Sequence, residues 1–198
     1  MNTMNTMNTM NTMDTIFIFD IDHTLIHTNL NKMNSITDLP NDKTYIRPYA
    51  RKLLKFLIKK KYRIGFWSTG LDCYIEDVLE QLLKPFKNFP IYLLLARKQV
   101  NNKEMIIDMQ TNKLYPYIYK NNMIVKDINF LLTHDDFKKR FHKNTILIDD
   151  MEININANKK RNIYAIKPWY KTMKKDKELL FLMNKIKNKR NITRKKMT

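Results

Sequence analysis

The sequence predicts an α/β fold of three layers, in which helices cover both faces of a mostly parallel central sheet. Three observations lead there. Short apolar runs of β-branched and aromatic residues recur at Ile16–Phe19, Arg63–Trp67, Ile91–Ala96, Thr145–Ile148 and Asn162–Ile166, each suited to a strand buried on both faces. Segments with helical spacing separate several of them, and alternating strand and helix implies right-handed crossovers between parallel strands. Finally, polar residues stand just beyond several runs, at the carboxyl edge where such sheets bind ligands.

The elements follow in order. Met-Asn-Thr repeats four times over the first dozen residues, a low-complexity stretch with no packing pattern. Ile16–Phe19 is the first strand and ends in Asp20-Ile21-Asp22. Residues 48–61 place Leu53, Leu54, Leu57 and Ile58 on one helical face, and 71–83 do the same with Tyr74, Ile75, Val78, Leu79 and Leu82. Residues 100–122 read as a β-hairpin on the rim of the sheet: Met105-Ile106-Ile107, a polar turn at Thr111-Asn112-Lys113, then Leu114 to Tyr119. Tyr115, Tyr117 and Tyr119 alternate there, which puts three rings on one face, either packing the hairpin onto the body or walling a peptide pocket. A last amphipathic helix covers 177–186. The expected division is a repeat at 1–13, one Rossmann-like domain at 14–186 with a β insertion at about 98–122 and no large cap, and a basic tail at 187–198.

Composition excludes several functions. The 198 residues contain two glycines, Gly65 and Gly70, too few for a dinucleotide fingerprint or a P-loop. If the chain handles phosphate, it does so with side chains rather than a glycine cradle. The single cysteine, Cys73, excludes a disulfide framework and a cysteine zinc site; it is expected to pack on the helix after Ser68. No apolar run reaches the roughly 18–20 residues of a membrane span, and the N-terminus lacks a signal-peptide pattern. The protein is expected to be intracellular, cytoplasmic or nuclear, not secreted, not membrane-bound and monomeric. His27, His134 and His142 show no metal-ligand spacing and read as surface histidines. Of the net charge of +18, residues 159–198 carry +13, with 15 basic against 2 acidic side chains. That segment is open to contact with a polyanion, to a nuclear-localisation role around Arg194-Lys195-Lys196, or to solubility alone.

Asp20 and Asp22 stand two apart on an extended chain, so both carboxyls face one side. Taken alone, such a pair is usually two surface acids. Ser68 follows the second strand, Lys126 lies in Ile124-Val125-Lys126-Asp127, and Asp149-Asp150 end the strand at Thr145–Ile148. Carboxylates, a hydroxyl and a lysine thus converge on one sheet edge. In order, these segments resemble the haloacid dehalogenase superfamily. Asp20-Ile21-Asp22-His23-Thr24-Leu25-Ile26 is similar to its first motif, Phe66-Trp67-Ser68-Thr69-Gly70 to the second, Val125-Lys126-Asp127 to the third and Ile146-Leu147-Ile148-Asp149-Asp150 to the fourth. Within it, Arg47-Pro48, the V-K-D motif and Lys167-Pro168-Trp169-Tyr170 resemble the phosphatases of the RNA polymerase II C-terminal domain, the NLI-interacting factor family. His23 replaces their usual Glu, and Ser68-Thr69-Gly70 their usual T-A-S.

The resemblance implies Mg²⁺-dependent phosphate monoester hydrolysis through an aspartyl-phosphate, with phosphoserine or phosphothreonine of a protein as substrate. Asp20 is the implied nucleophile and Asp22 the implied acid and base. Ser68, Lys126 and Thr24 are the implied phosphate-binding residues. The implied Mg²⁺ ligands are Asp20, the backbone carbonyl of Asp22, and Asp149 or Asp150. Of that last pair one binds metal and the other orients Lys126 or a water. The 48 positions between Asp20 and Ser68 leave no room for a large cap, and an open site suits a macromolecule. A polynucleotide phosphatase of the same superfamily and a catalytically silent binding module on the same fold are the other two readings. Retention of Asp20, Asp22, Ser68, Lys126 and Asp149-Asp150 speaks against silence.

Overall fold

A computed structural model describes residues 15–28, 44–141, 144–159 and 162–188. The Met-Asn-Thr repeat, His142 and nearly all of the basic tail lie outside the described residues. Seven strands form the main sheet in the order β11-β10-β1-β4-β5-β6-β7. They are β1 (Ile16–Phe19), β4 (Arg63–Leu71), β5 (Ile91–Val100), β6 (Lys103–Asp108), β7 (Lys113–Pro116), β10 (Thr145–Asp149) and β11 (Asn162–Ala165). The first five in the chain's α/β frame, β11, β10, β1, β4 and β5, run parallel. The chain moves outward from β1 through β4 to β5 on one side and through β10 to β11 on the other. β1 therefore lies at the topological switch point, where the carboxyl ends of the strands open a crevice.

β1 shows why its residues form a central strand. All four are buried, and they alternate between the two faces: Phe17 and Phe19 enter one core cluster, Ile16 and Ile18 the other. The first cluster lies under α1 (Ala50–Lys59), α2 (Asp72–Leu83) and α6 (Glu178–Lys187). In α1 the spacing of Ala50, Leu53, Leu54 and Leu57 gives one buried stripe, and each buried leucine is worth about 1.5–3 kcal/mol. The second cluster lies under α3 (Ile128–Leu131) and α4 (Asp135–Arg140), with Ile155 of α5 (Glu152–Ala157) packed against it. Gly65 permits close strand packing, since a Cβ there would stand 3.0 Å from the Leu93 Cβ.

The rim differs from the sequence expectation. β6 and β7 do form a hairpin, but they continue the main sheet antiparallel from β5. The run from Leu114 to Tyr119 is not one strand. It breaks at Tyr117, and β8 (Ile118–Lys120) pairs instead with β9 (Met123–Val125) in a separate two-stranded sheet. The three tyrosines consequently do not share a face. Tyr115 packs 4.8 Å from the Phe137 ring and Tyr117 is buried, whereas Tyr119 is 51% exposed. The turns explain the break. Asn101-Asn102 joins β5 to β6 and Asn121-Asn122 joins β8 to β9, with positive φ at all four residues. That backbone fits the tight hairpin turns whose right-handed twist matches the strands, and asparagine takes the position glycine commonly holds.

Between β1 and α1 the described residues form only a small antiparallel pair, β2 (Ile26–Thr28) with β3 (Thr44–Ile46). No large cap occurs among the described residues. No helix among them is long and apolar enough to cross a membrane.

Candidate active site

The first motif folds as strand, then turn. After Phe19 the chain leaves the sheet with Asp20 N–H still bonded to the Ile148 carbonyl at 2.9 Å. It then curls so that Leu25 and Ile26 N–H both reach the Ile21 carbonyl. His23 sits in this turn at φ 57°, a left-handed conformation that histidine tolerates better than most residues. Two bonds fix it to the C-terminal segment: Trp169 N–H donates to the His23 carbonyl at 2.8 Å, and His23 Nδ1 lies 3.2 Å from the Trp169 carbonyl.

Asp20, Lys126 and Asp149 meet in the crevice. Lys126 Nζ donates to Asp20 Oδ1 and, at 2.9 Å, to Asp149 Oδ2. All three side chains are buried. Asp149 is the last residue of β10, one position beyond the strand end expected from sequence. Its carboxylate also accepts from Met151 N–H at 2.9 Å and from Asn154 Nδ2 at 3.0 and 3.1 Å. Asp150 is half-buried and accepts a longer bond, 3.4 Å, from the Thr24 hydroxyl. One ammonium thus bonds two carboxylates, Asp20 and Asp149, with Asp150 beside them. Burial works against the charge of Lys126, but Asp149 and Asp20 outweigh it and hold the ammonium above the usual lysine range. Burial likewise raises Asp20 well above the ordinary carboxyl value; Lys126 opposes this, while Asp149 and Asp150 add to it. Asp150 is raised by burial and by Asp149.

Asp22 and Ser68 complete the edge. The Asp22 carboxyl accepts from the Tyr74 hydroxyl, 2.5 Å away. Burial raises its pKa, and the Tyr74 hydrogen bond and Lys126 partly offset that. Ser68 lies inside β4 rather than after it, because the strand runs on to Leu71 through a register shift beyond Trp67. Its Oγ accepts from Gly70 N–H at 2.9 Å, which leaves the hydroxyl proton to donate elsewhere. Pairing of Phe19 with Phe66 sets Ser68 at the level of the first motif.

Several contributors escaped the sequence reading. Lys126 follows β9 and precedes α3. Asn154 Oδ1 accepts from its N–H at 3.0 Å, and Asn158 Nδ2 donates to its carbonyl at 2.6 Å. The only signal was two asparagines four apart, one helix face. Arg47 is fully buried; it grips Asp176 at 2.7 and 3.0 Å and reaches the carbonyls of His23, Thr24 and Lys167. His27 proves half-buried, in ring contact with His23, Tyr45, Trp169 and Tyr170, so it is no bare surface histidine. His134 is half-buried as well, against Tyr115 and Phe130. Cys73 is exposed on α2, not packed, because the helix buries Ile75, Val78, Leu79 and Leu82 instead.

The oxygens of Asp20, Asp149 and Asp150 lie within 4.8 Å of one another. Hard carboxylate donors with excess negative charge fit a divalent cation such as Mg²⁺. The Asp22 carboxyl, engaged by Tyr74, is not among them.

The NLI interacting factor-like phosphatases match residues 15–195. The chain belongs to this family. No curated protein matches it. Among solved structures, this family member is similar to a haloacid dehalogenase-superfamily hydrolase from Ehrlichia chaffeensis, with a TM-score of 0.53 at 12% identity over 89% of this chain and 97% of that one. It is also similar to a chain of the Pnkp1/Rnl/Hen1 RNA repair complex, TM-score 0.51 at 15% identity, covering 80% of this chain and 44% of that one. Fcp1, an essential RNA polymerase II CTD phosphatase, aligns with a TM-score of 0.49 at 14% identity over 90% of this chain and 51% of that one. The family is one of phosphatases, and the fold is similar to that of a haloacid dehalogenase-superfamily hydrolase.

Proposed function

We propose that this phosphatase hydrolyses phosphate monoesters in two steps with Mg²⁺, acting on phosphoserine or phosphothreonine of a protein. The observation that carries the reading is the gathering of the Asp20, Asp149 and Asp150 carboxylates at the carboxyl edge of the switch-point strand, with the buried Lys126 ammonium bonded to Asp20 and Asp149. Asp20 attacks phosphorus, the bond to the leaving oxygen breaks, and Asp22 gives that oxygen its proton. Water then attacks the aspartyl-phosphate while Asp22 takes a proton from that water, and the bond from Asp20 to phosphorus breaks, releasing inorganic phosphate and restoring Asp20. Lys126 and Ser68 hold the transferring oxygens, whose charge is best met by fixed donors in a buried site.

Asp20, Asp150 and the Asp22 carbonyl would hold Mg²⁺, since Asp149 is already committed to Lys126, Asn154 and Met151. Thr24 acts through Asp150, to which its hydroxyl donates. When bound, the cation supplies positive charge against the phosphoryl oxygens.

Among the described residues only the small β2–β3 pair stands where a large cap would, which supports a macromolecular substrate. A second reading, a polynucleotide phosphatase, is favoured by the net +13 of residues 159–198. Initial rates with Mg²⁺ on a phosphoserine peptide and on a 3′-phosphorylated oligonucleotide at physiological salt separate the two. Faster peptide hydrolysis is expected; faster oligonucleotide hydrolysis would replace the first reading with the second.

A further inference from the structure

We propose that Tyr74, backed by Thr28, is a positioning residue that fixes the Asp22 carboxyl so that its Oδ2 faces the leaving oxygen. The proposal rests on the reading of Asp22 as proton donor and acceptor. The two groups are 52 residues apart in sequence, yet the Tyr74 hydroxyl stands 2.5 Å from Asp22 Oδ1 and 2.9 Å from the Thr28 hydroxyl. A phenol has one proton to give. It goes to the carboxylate, where a charge-assisted bond is stronger, and the Thr28 hydroxyl donates to Tyr74 in turn. Among the described residues nothing donates to Asp22 Oδ2, so that oxygen is left for the reacting group.

The chain of bonds is anchored at each end. Thr28 is buried on β2, which pairs with β3. Tyr74 is on α2, and its ring packs against the first core cluster. Gly70 makes room for that ring: a Cβ there would stand 2.8 Å from the Tyr74 Cδ1. Among the described residues the Tyr74 hydroxyl spends its bonds on Asp22 and Thr28 alone. It therefore acts on the reaction only through Asp22.

A misplaced general acid hurts most when the leaving group needs a proton. The full-length protein is assayed with Mg²⁺ on phenyl phosphate, a poor leaving group, and on p-nitrophenyl phosphate, a good one. The ratio of the two rates in one preparation is independent of how much of it is folded. Tyr74→Phe is expected to lower kcat/KM on phenyl phosphate about tenfold and on p-nitrophenyl phosphate less than about threefold. Thr28→Val should shift the ratio in the same direction by less. In an Asp22→Asn background, Tyr74→Phe should change the ratio no further. Equal losses on both substrates, or no loss, overturn the positioning role. Asp22→Asn separates this from the underlying reading. If Asp22→Asn discriminates between the substrates and Tyr74→Phe does not, only Tyr74's role fails. If Asp22→Asn does not discriminate either, the acid–base reading fails and the positioning role falls with it.

Discussion

Three carboxylates and one ammonium meet in a crevice shielded from water, and that imbalance dictates how the site responds to protons and cations. Lys126 keeps its charge because two carboxylates face it; Asp20 is pushed above the ordinary carboxyl value near 3.8 by burial, Asp149 and Asp150, and Asp150 by burial and Asp149. The unfolded chain ionises these carboxyls near 3.8, and the folded protein does so only at higher pH. Their contribution to stability is therefore fullest below 3.8 and is lost as pH rises through the raised folded values. In chelator, the wild type is expected to lose stability relative to Asp150→Asn as pH is raised above about 4, followed by urea melts. Mg²⁺ should stabilise the wild type by about 2.7 kcal/mol at a hundred times its dissociation constant and Asp150→Asn far less. A pH-independent difference between the two proteins, with equal Mg²⁺ effects, would refute this description of the cluster.

At the scale of elements, the site is assembled by pieces too short to be stable alone. The turn after β1 is clasped by Arg47, which joins it to Asp176 and Lys167 of the C-terminal segment. Arg47→Lys keeps a charge but cannot reproduce a planar fork with several donors. Leaving the Asp176 carboxylate and the carbonyls underserved is expected to cost about 3 kcal/mol in urea unfolding; a cost under about 1 kcal/mol would show the clasp to be dispensable. The strands around the switch point were legible because burial on both faces writes itself as continuous apolar runs, as in Ile16–Phe19. Asp20, Asp22, Ser68, Lys126, Asp149 and Asp150 were legible because each sits at such a run or in a short motif. Tyr74, Asn154, Asn158 and the work of Arg47 were not, since each acts on a residue 28 to 129 positions away and local pattern carries no such information. The break at Tyr117 was missed for another reason: alternating tyrosines look like one strand until Asn121-Asn122 is recognised as a second hairpin turn.

For the whole molecule, chemistry and charge are separate properties. The doubly wound sheet brings strand ends from across the chain to one crevice, with β1 between β4 and β10. The excess charge is concentrated in residues 159–198, whereas the crevice itself is acidic. The scarcity of glycine fits this division, since the crevice offers side-chain donors, Lys126 and Ser68, rather than a glycine-rich backbone cradle, and tight turns are made with asparagine. The account stands or falls on Asp20 as the group that carries the phosphoryl. Rapid acid quench during turnover of a ³²P-labelled phosphopeptide with Mg²⁺ tests it most directly. The prediction is a hydroxylamine-labile label on the peptide that contains Asp20, absent from Asp20→Asn, which should also lose turnover by at least about a thousandfold. Turnover without any protein-bound label, or an Asp20→Asn protein that hydrolyses at the wild-type rate, would contradict it.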